Sequence, residues 1–300
     1  MPQRTSFILS LLLGLVLAFV LRQNLYLPAK EEKVMNGFET LLSQEEFTVA
    51  QVIAYLDRHL QEVSPAKAGK LVLDLEEVQK EKLPAWQRLY EDGTLQQKLA
   101  VAYQQNWALD DLRRVEDEDT RQVVAETVAN GYKVETAEGM FFPVIDYTIY
   151  RKYYGALTED LAAYFELMAI EAEKTPVKDA ALMIDWEEVL WRAERQEEFL
   201  EKYSSSIRVE PVRELLFHYV TFALFGCNNT PLFSYETKEM DPAAKEAYLA
   251  YARAETGSEF SRLINEYLKV LETNAFRLTE EVEAFRRQAV KAWTKGAPKE

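Results

Sequence analysis

Residues 5–21 read TSFILSLLLGLVLAFVL, and no charged side chain interrupts them before Arg22. A helix advances ~1.5 Å per residue, so the run spans roughly 25 Å, near the lower limit for crossing a hydrocarbon core and longer than most signal-peptide cores. It is expected to anchor the chain or to direct its export. Removal by signal cleavage needs small residues at −3 and −1, yet Ala29 at −1 places Leu27 at −3, and Ala18 at −3 places Val20 at −1. The expected arrangement is a retained, single-pass anchor within residues 1–30, with Tyr26 at the interface; secretion after cleavage is the alternative. Arg4 lies before the run while Arg22, Lys30 and Lys33 follow it, and a strict count of positive charges would keep the body in the cytoplasm. A short basic start before an apolar run is, however, the usual form of an export signal, and the body is strongly acidic. Residues 31–300 are therefore expected outside the cytoplasm.

That acidity also narrows the partners. Arg4, Arg22 and Lys30 are the only charged residues before residue 31, so the rest of the chain sets 32 basic against 50 acidic side chains. Such a body repels phosphate backbones, and no basic stripe interleaved with aromatics offsets it, which argues against nucleic-acid binding.

Only 10 Gly and 10 Pro interrupt long stretches of Ala, Leu, Glu, Lys and Gln, residues that lose little side-chain freedom in a helix. Caps and stops punctuate these stretches into about a dozen helices. Thr48 precedes VAQVIAYLDRHLQEV, whose Val49, Val52, Ile53, Leu56, Leu60 and Val63 mark one apolar face. Ser64-Pro65 opens a helix directed towards Pro84, Thr175-Pro176 opens another, Asp185 to Glu188 has capping-box spacing, and Asp241-Pro242 caps a later one. Asn130-Gly131 is a left-handed stop, and YKVET and MFFPVID then flank the turn AEG. The expected fold is all-α, a multi-helix body with one small β-hairpin near 132–145. If the body has two lobes, they should divide near 130–146.

The hairpin leads into the most aromatic stretch, GMFFPVIDYTIYRKYYG at 139–155. Asp146 should cap a short helix ending at Gly155, on which Tyr147, Tyr150 and Tyr154 form one stripe at α-helical spacing, with Ile149 and Tyr153 beside it. A stripe like this ordinarily packs, each hydroxyl meeting a polar partner at the core's edge. On a surface it would instead stack against sugar rings, a peptide or a partner helix. The long connection 226–241 is the second candidate binding segment, since Asn228, Asn229, Phe233 and Tyr235 offer amide and aromatic groups together.

Catalytic motifs are scarce. Glycine-rich phosphate loops, G-x-S-x-G and H-E-x-x-H do not occur, and Leu56 and Leu215 stand where a di-metal bundle would need glutamates before His59 and His218. One cysteine, Cys227, allows neither an internal disulfide nor a cysteine-based zinc site. The run Glu116–Asp119 suits the positive end of the following helix better than a metal ion. No catalytic residue, metal or cofactor is assigned. The leading expectation is a non-enzymatic binding or scaffolding domain, held at a membrane, for a protein partner or a cell-envelope ligand. The alternative is a carboxylate-dependent enzyme acting on envelope glycans, drawing on Asp146, Glu166, Glu171, Asp185 or Glu188.

Overall fold

The computed structural model describes residues 27–106, 115–253 and 257–294. The anchor expected at 5–21 lies outside these residues, and among those described no helix is long and apolar enough to cross a membrane. The described chain is all-α: eleven α-helices and two 3₁₀ segments, joined in places by three two-stranded sheets. It divides into two compact units, Met1–Glu135 with Phe141–Thr158, and Thr136–Met140 with Glu159–Glu300.

The first unit begins with α1 (Leu27–Leu42), α2 (Val49–His59) and a 3₁₀ turn, Leu60–Glu62. Thr48 closes a full capping box with Gln51, and Val49, Val52 and Leu56 bury the expected face of α2. α3 (Pro65–Leu89) runs through Pro84, beyond the end expected there. Pro84 is exposed, so water can satisfy the carbonyl that the ring leaves unpaired. α4 (Gly93–Asn106) and α5 (Glu118–Ala129) follow, and then most of the hairpin β1 (Tyr132–Ala137) and β2 (Met140–Ile145), whose turn Thr136–Met140 is counted with the second unit. Gln96 of α4 treats Phe141 of β2 as a strand would: its Nε2 donates to the Phe141 carbonyl at 2.7 Å, and its Oε1 accepts from the Phe141 N–H at 2.9 Å.

Asp117 is the N-cap of α5, accepting from the Thr120 N–H at 2.9 Å and the Thr120 hydroxyl at 2.7 Å. Those bonds, with the Lys98 ammonium, hold its carboxyl down to about 2 from an ordinary 3.8. A depressed pKa means that the cap's contribution is full above about pH 4 and lost as pH falls towards about 2. The difference in urea midpoint between the wild type and Asp117→Ala is therefore expected to shrink steadily across that window.

The second unit contains α6 (Glu159–Glu173), α7 (Trp186–Lys202), α8 (Val209–Phe225), α9 (Pro242–Ala252), α10 (Glu259–Thr273) and α11 (Glu280–Thr294). Its core joins Val189, Leu190 and Ala193 of α7, Tyr219, Val220 and Leu224 of α8, and Phe260, Ile264 and Leu271 of α10. The helix expected at Thr175-Pro176 is absent: Val177–Lys178 (β3) and Ala181–Leu182 (β4) pair antiparallel instead. The space before the Asp185 cap is too short for a stable helix. Asp179 and Ala180, both at positive φ (50° and 56°), close the two-residue turn that such pairing favours. The expected capping box at Asp185 is half formed. Asp185 accepts from the Glu188 N–H at 2.8 Å, while the Glu188 carboxylate turns to Lys174 and Arg192.

Candidate functional site

The tyrosine stripe exists, but with different members. Residues Tyr147–Ala156 wind as a 3₁₀ helix capped by Asp146, whose carboxylate accepts from the Thr148 N–H at 3.0 Å. At 3.0 residues per turn, positions three apart eclipse, so Tyr147, Tyr150 and Tyr153 share the face assigned by α-helical spacing to Tyr147, Tyr150 and Tyr154. All three hydroxyls find acceptors within the unit. Tyr147 donates to Glu76 Oε1 at 2.8 Å, Tyr150 to Gln79 Oε1, and Tyr153 to Asp57 Oδ1 at 2.9 Å. A run of ten residues is long for this winding, and a fixed acceptor every third residue is what favours it over the α form. The Tyr147 and Tyr150 rings stack with centroids 5.6 Å apart, and Tyr150 and Tyr153 are buried, while Tyr147 and Tyr154 are half-buried.

Asn228, Asn229, Phe233 and Tyr235 lie in the second unit. Their segment is more ordered than the irregular loop expected: Gly226–Cys227 (β5) and Thr230–Pro231 (β6) form a small antiparallel hairpin, and Phe233 bridges Met240. Gly226 at φ 71° is required, because a Cβ there would lie 2.3 Å from the Thr230 carbonyl oxygen. Leu232 and Phe233 are core residues. Asn229 grips the β3–β4 turn, its Nδ2 donating to the Asp179 carbonyl at 2.6 Å and its N–H to the Ala180 carbonyl at 2.8 Å. Tyr235 is exposed and donates to the Asn228 carbonyl at 3.0 Å. Beside them, burial pushes the Cys227 thiol pKa up, opposite to what an activated thiolate needs.

Four of the five carboxylates proposed for glycan chemistry serve as caps or in ion pairs. Asp146 and Asp185 cap helices. Glu188 and Glu171 flank the buried Arg192 guanidinium, which donates to Glu188 and lies 3.3 Å from Glu171. Tyr219 completes this cluster, accepting from Arg192 at 3.1 Å and donating to Glu171 at 2.7 Å. Burial outweighs these partners and holds the Glu171 carboxyl above its ordinary value. Glu197 is also buried and also raised by its desolvation, although it accepts from the N–H groups of Glu259 and Phe260 at 2.8 and 2.9 Å, where it caps α10 from outside. Among the described residues, no group of three or more His, Cys, Asp or Glu is placed to hold a metal ion.

Open grooves among the described residues include two of similar size. One, of about 550 Å³ between α10 and α11, has an apolar floor of Leu263, Phe285, Ala289 and Trp293 and a rim that includes Glu259, Arg262 and Glu266. The other, about 580 Å³, lies between α1 and α2 in the first unit, and none of the five proposed carboxylates lines either groove. Lys30 and Lys33 form one wall of the α1–α2 cleft, His59 and Glu62 the other, and Val34 and Tyr55 the floor. Gly37 permits the floor, because a Cβ there would sit 2.4 Å from the Tyr55 hydroxyl oxygen, which donates to the Val34 carbonyl at 2.8 Å. Across the cleft Glu62 lies 3.3 Å from Lys30 and 3.3 Å from His59 Nδ1. Partial burial works against ionisation of Glu62, but these two neighbours hold its pKa below the usual value. Lys33 is exposed and pairs with no described residue. The signal available in the sequence was the three-residue spacing of Lys30 and Lys33, and of His59 and Glu62, on adjoining helices.

No family model, curated protein or solved structure matches the chain.

Proposed function

We propose that this chain is a non-enzymatic helical binding domain, tethered to a membrane by residues 5–21 and held on the extracytoplasmic side, where it engages a protein partner or an envelope ligand. The observation that carries this reading is how the reactive-looking groups are used. Asp146, Asp185, Glu171 and Glu188 are engaged as caps or in ion pairs, and Tyr147, Tyr150 and Tyr153 each donate to an acceptor inside their unit. A glycan-cleaving pair would instead face each other ~5–10 Å apart across an open groove. The α1–α2 cleft supports binding, since it places charged, aromatic and apolar side chains on one concave surface.

Fractionation tests the tether. The full-length protein is expected to stay in the membrane pellet through an alkaline carbonate wash, and to leave it when three leucines in 11–13 are replaced by aspartate. Recovery of the wild type in the soluble fraction would contradict the proposal.

The glycan-enzyme reading draws on one specific feature, the raised pKa of Glu171, which suits a proton-donating acid. Release of soluble sugar from purified envelope glycan, abolished by Glu171→Gln, would favour that reading.

A further inference from the structure

The α1–α2 cleft gathers positive charge in a chain whose formal charge is −15. Lys30 and Lys33 lie three residues apart, both on the α1 wall, so their ammonium groups can reach one ligand together. His59 faces them from α2, with its Nδ1 3.3 Å from Glu62 Oε1. The anionic group in the cleft, Glu62, is already 3.3 Å from Lys30, which marks the cleft as a place where an oxyanion is held by this lysine.

We propose that the cleft binds a phosphate group, carried by the headgroup of an anionic membrane lipid. A phosphate presents several strong acceptor oxygens on one tetrahedral centre, so it can accept from both lysines at once, whereas Glu62 pairs with Lys30 of the two. Lysines suit this role as compact, mobile point charges. The Tyr55 ring and Val34 give the glycerol end of a headgroup an apolar floor. Position assigns the source of the phosphate. α1 begins at Leu27, shortly after the apolar run ends at Leu21, so both lysines fall in the first two turns of the helix that follows the run. Lysine side chains placed there reach headgroup depth, where a lipid phosphate comes within range of their ammonium groups. The lipid source rests on the membrane-tether reading; the phosphate site itself rests only on the cleft.

The test uses the full-length protein in micelles of a neutral detergent, titrated calorimetrically with dihexanoyl phosphatidic acid, dihexanoyl phosphatidylcholine and inorganic phosphate. Saturable binding of phosphatidic acid is expected, at least about tenfold tighter than phosphatidylcholine, and weakened about tenfold or more in Lys30→Gln/Lys33→Gln. Glu62→Gln is expected to tighten binding several-fold, because it removes the competing carboxylate. This opposite sign keeps the test decisive should the double lysine variant fold poorly. Competition by inorganic phosphate would assign recognition to the phosphate alone; lipid binding without that competition would assign it to phosphate and glycerol together, and either supports the site. Absence of saturable phosphatidic acid binding, binding unchanged in the double lysine variant, or no tightening in Glu62→Gln would overturn it. Micelles have no sidedness, so failure here leaves the tether standing, and a failed tether leaves this titration intact.

Discussion

Replacing Arg192 with alanine is expected to destabilise the second unit by about 3–5 kcal/mol, because truncating one partner of a buried ion cluster strands the charges that remain. The side chain is 2% exposed and is shared between Glu188, Glu171 and Tyr219. Lys174 still pairs with Glu188 in the variant, so most of the cost falls on Glu171, whose other partner, the Tyr219 hydroxyl, is neutral. Burial already raises the Glu171 pKa, and loss of the guanidinium would raise it further. A raised carboxyl pKa stabilises the folded state at low pH, and that contribution is lost as pH rises through the folded value. The deficit of Arg192→Ala in urea unfolding should therefore be largest at neutral pH and smaller in mild acid. Combining Arg192→Met with Glu171→Gln and Glu188→Gln should recover much of the loss, since a neutral cluster no longer strands a charge. A deficit below about 1 kcal/mol, independent of pH, would mean that the cluster is not the anchor described.

The first unit has its own polar hub. Gln79→Leu is expected to cost about 1–3 kcal/mol, because the buried Tyr150 hydroxyl loses its Gln79 acceptor and the Gly131 carbonyl loses one of two donors. Gln79 is fully buried; its Nε2 donates to the Gly131 carbonyl at 2.7 Å and its Oε1 accepts from Tyr150. The Asp146 N–H also reaches the Gly131 carbonyl, at 3.0 Å, so the Tyr150 hydroxyl bears the larger penalty. Pairing Gln79→Leu with Tyr150→Phe should therefore be less damaging than the sum of the single variants. Two units can unfold separately, so amide exchange resolved by segment is the suitable measurement. Faster exchange should concentrate in α3 and in residues 147–156. Exchange raised equally across 159–294 would contradict the assignment.

Helix starts were the most legible part of this chain, since a cap is a local device. Thr48, Asp185 and Asp241 each accept from a backbone N–H three residues ahead, a relation that spacing reveals. Proline was less reliable, because its effect depends on exposure: Pro84 sits inside a helix, while Pro176 precedes a hairpin. The tyrosine face holds Tyr153 where α-helical spacing puts Tyr154, because α and 3₁₀ winding diverge by one residue at the third turn. Its acceptors Glu76, Gln79 and Asp57 lie on α2 and α3, so no local pattern could select that winding. The α1–α2 cleft is illegible in the sequence for the same reason. Lys30 and Lys33 read as surface charge until α2 brings His59, Glu62 and Tyr55 opposite them.

The central claim, a helical body held outside a membrane by residues 5–21, can be tested with one thiol. Cys227 is the only cysteine, and Tyr235 is 64% exposed. In Cys227→Ser/Tyr235→Cys, the introduced thiol should react with a membrane-impermeant maleimide in intact spheroplasts, as fast as after permeabilisation. Labelling that appears only after permeabilisation would place the body on the cytoplasmic side and contradict the account.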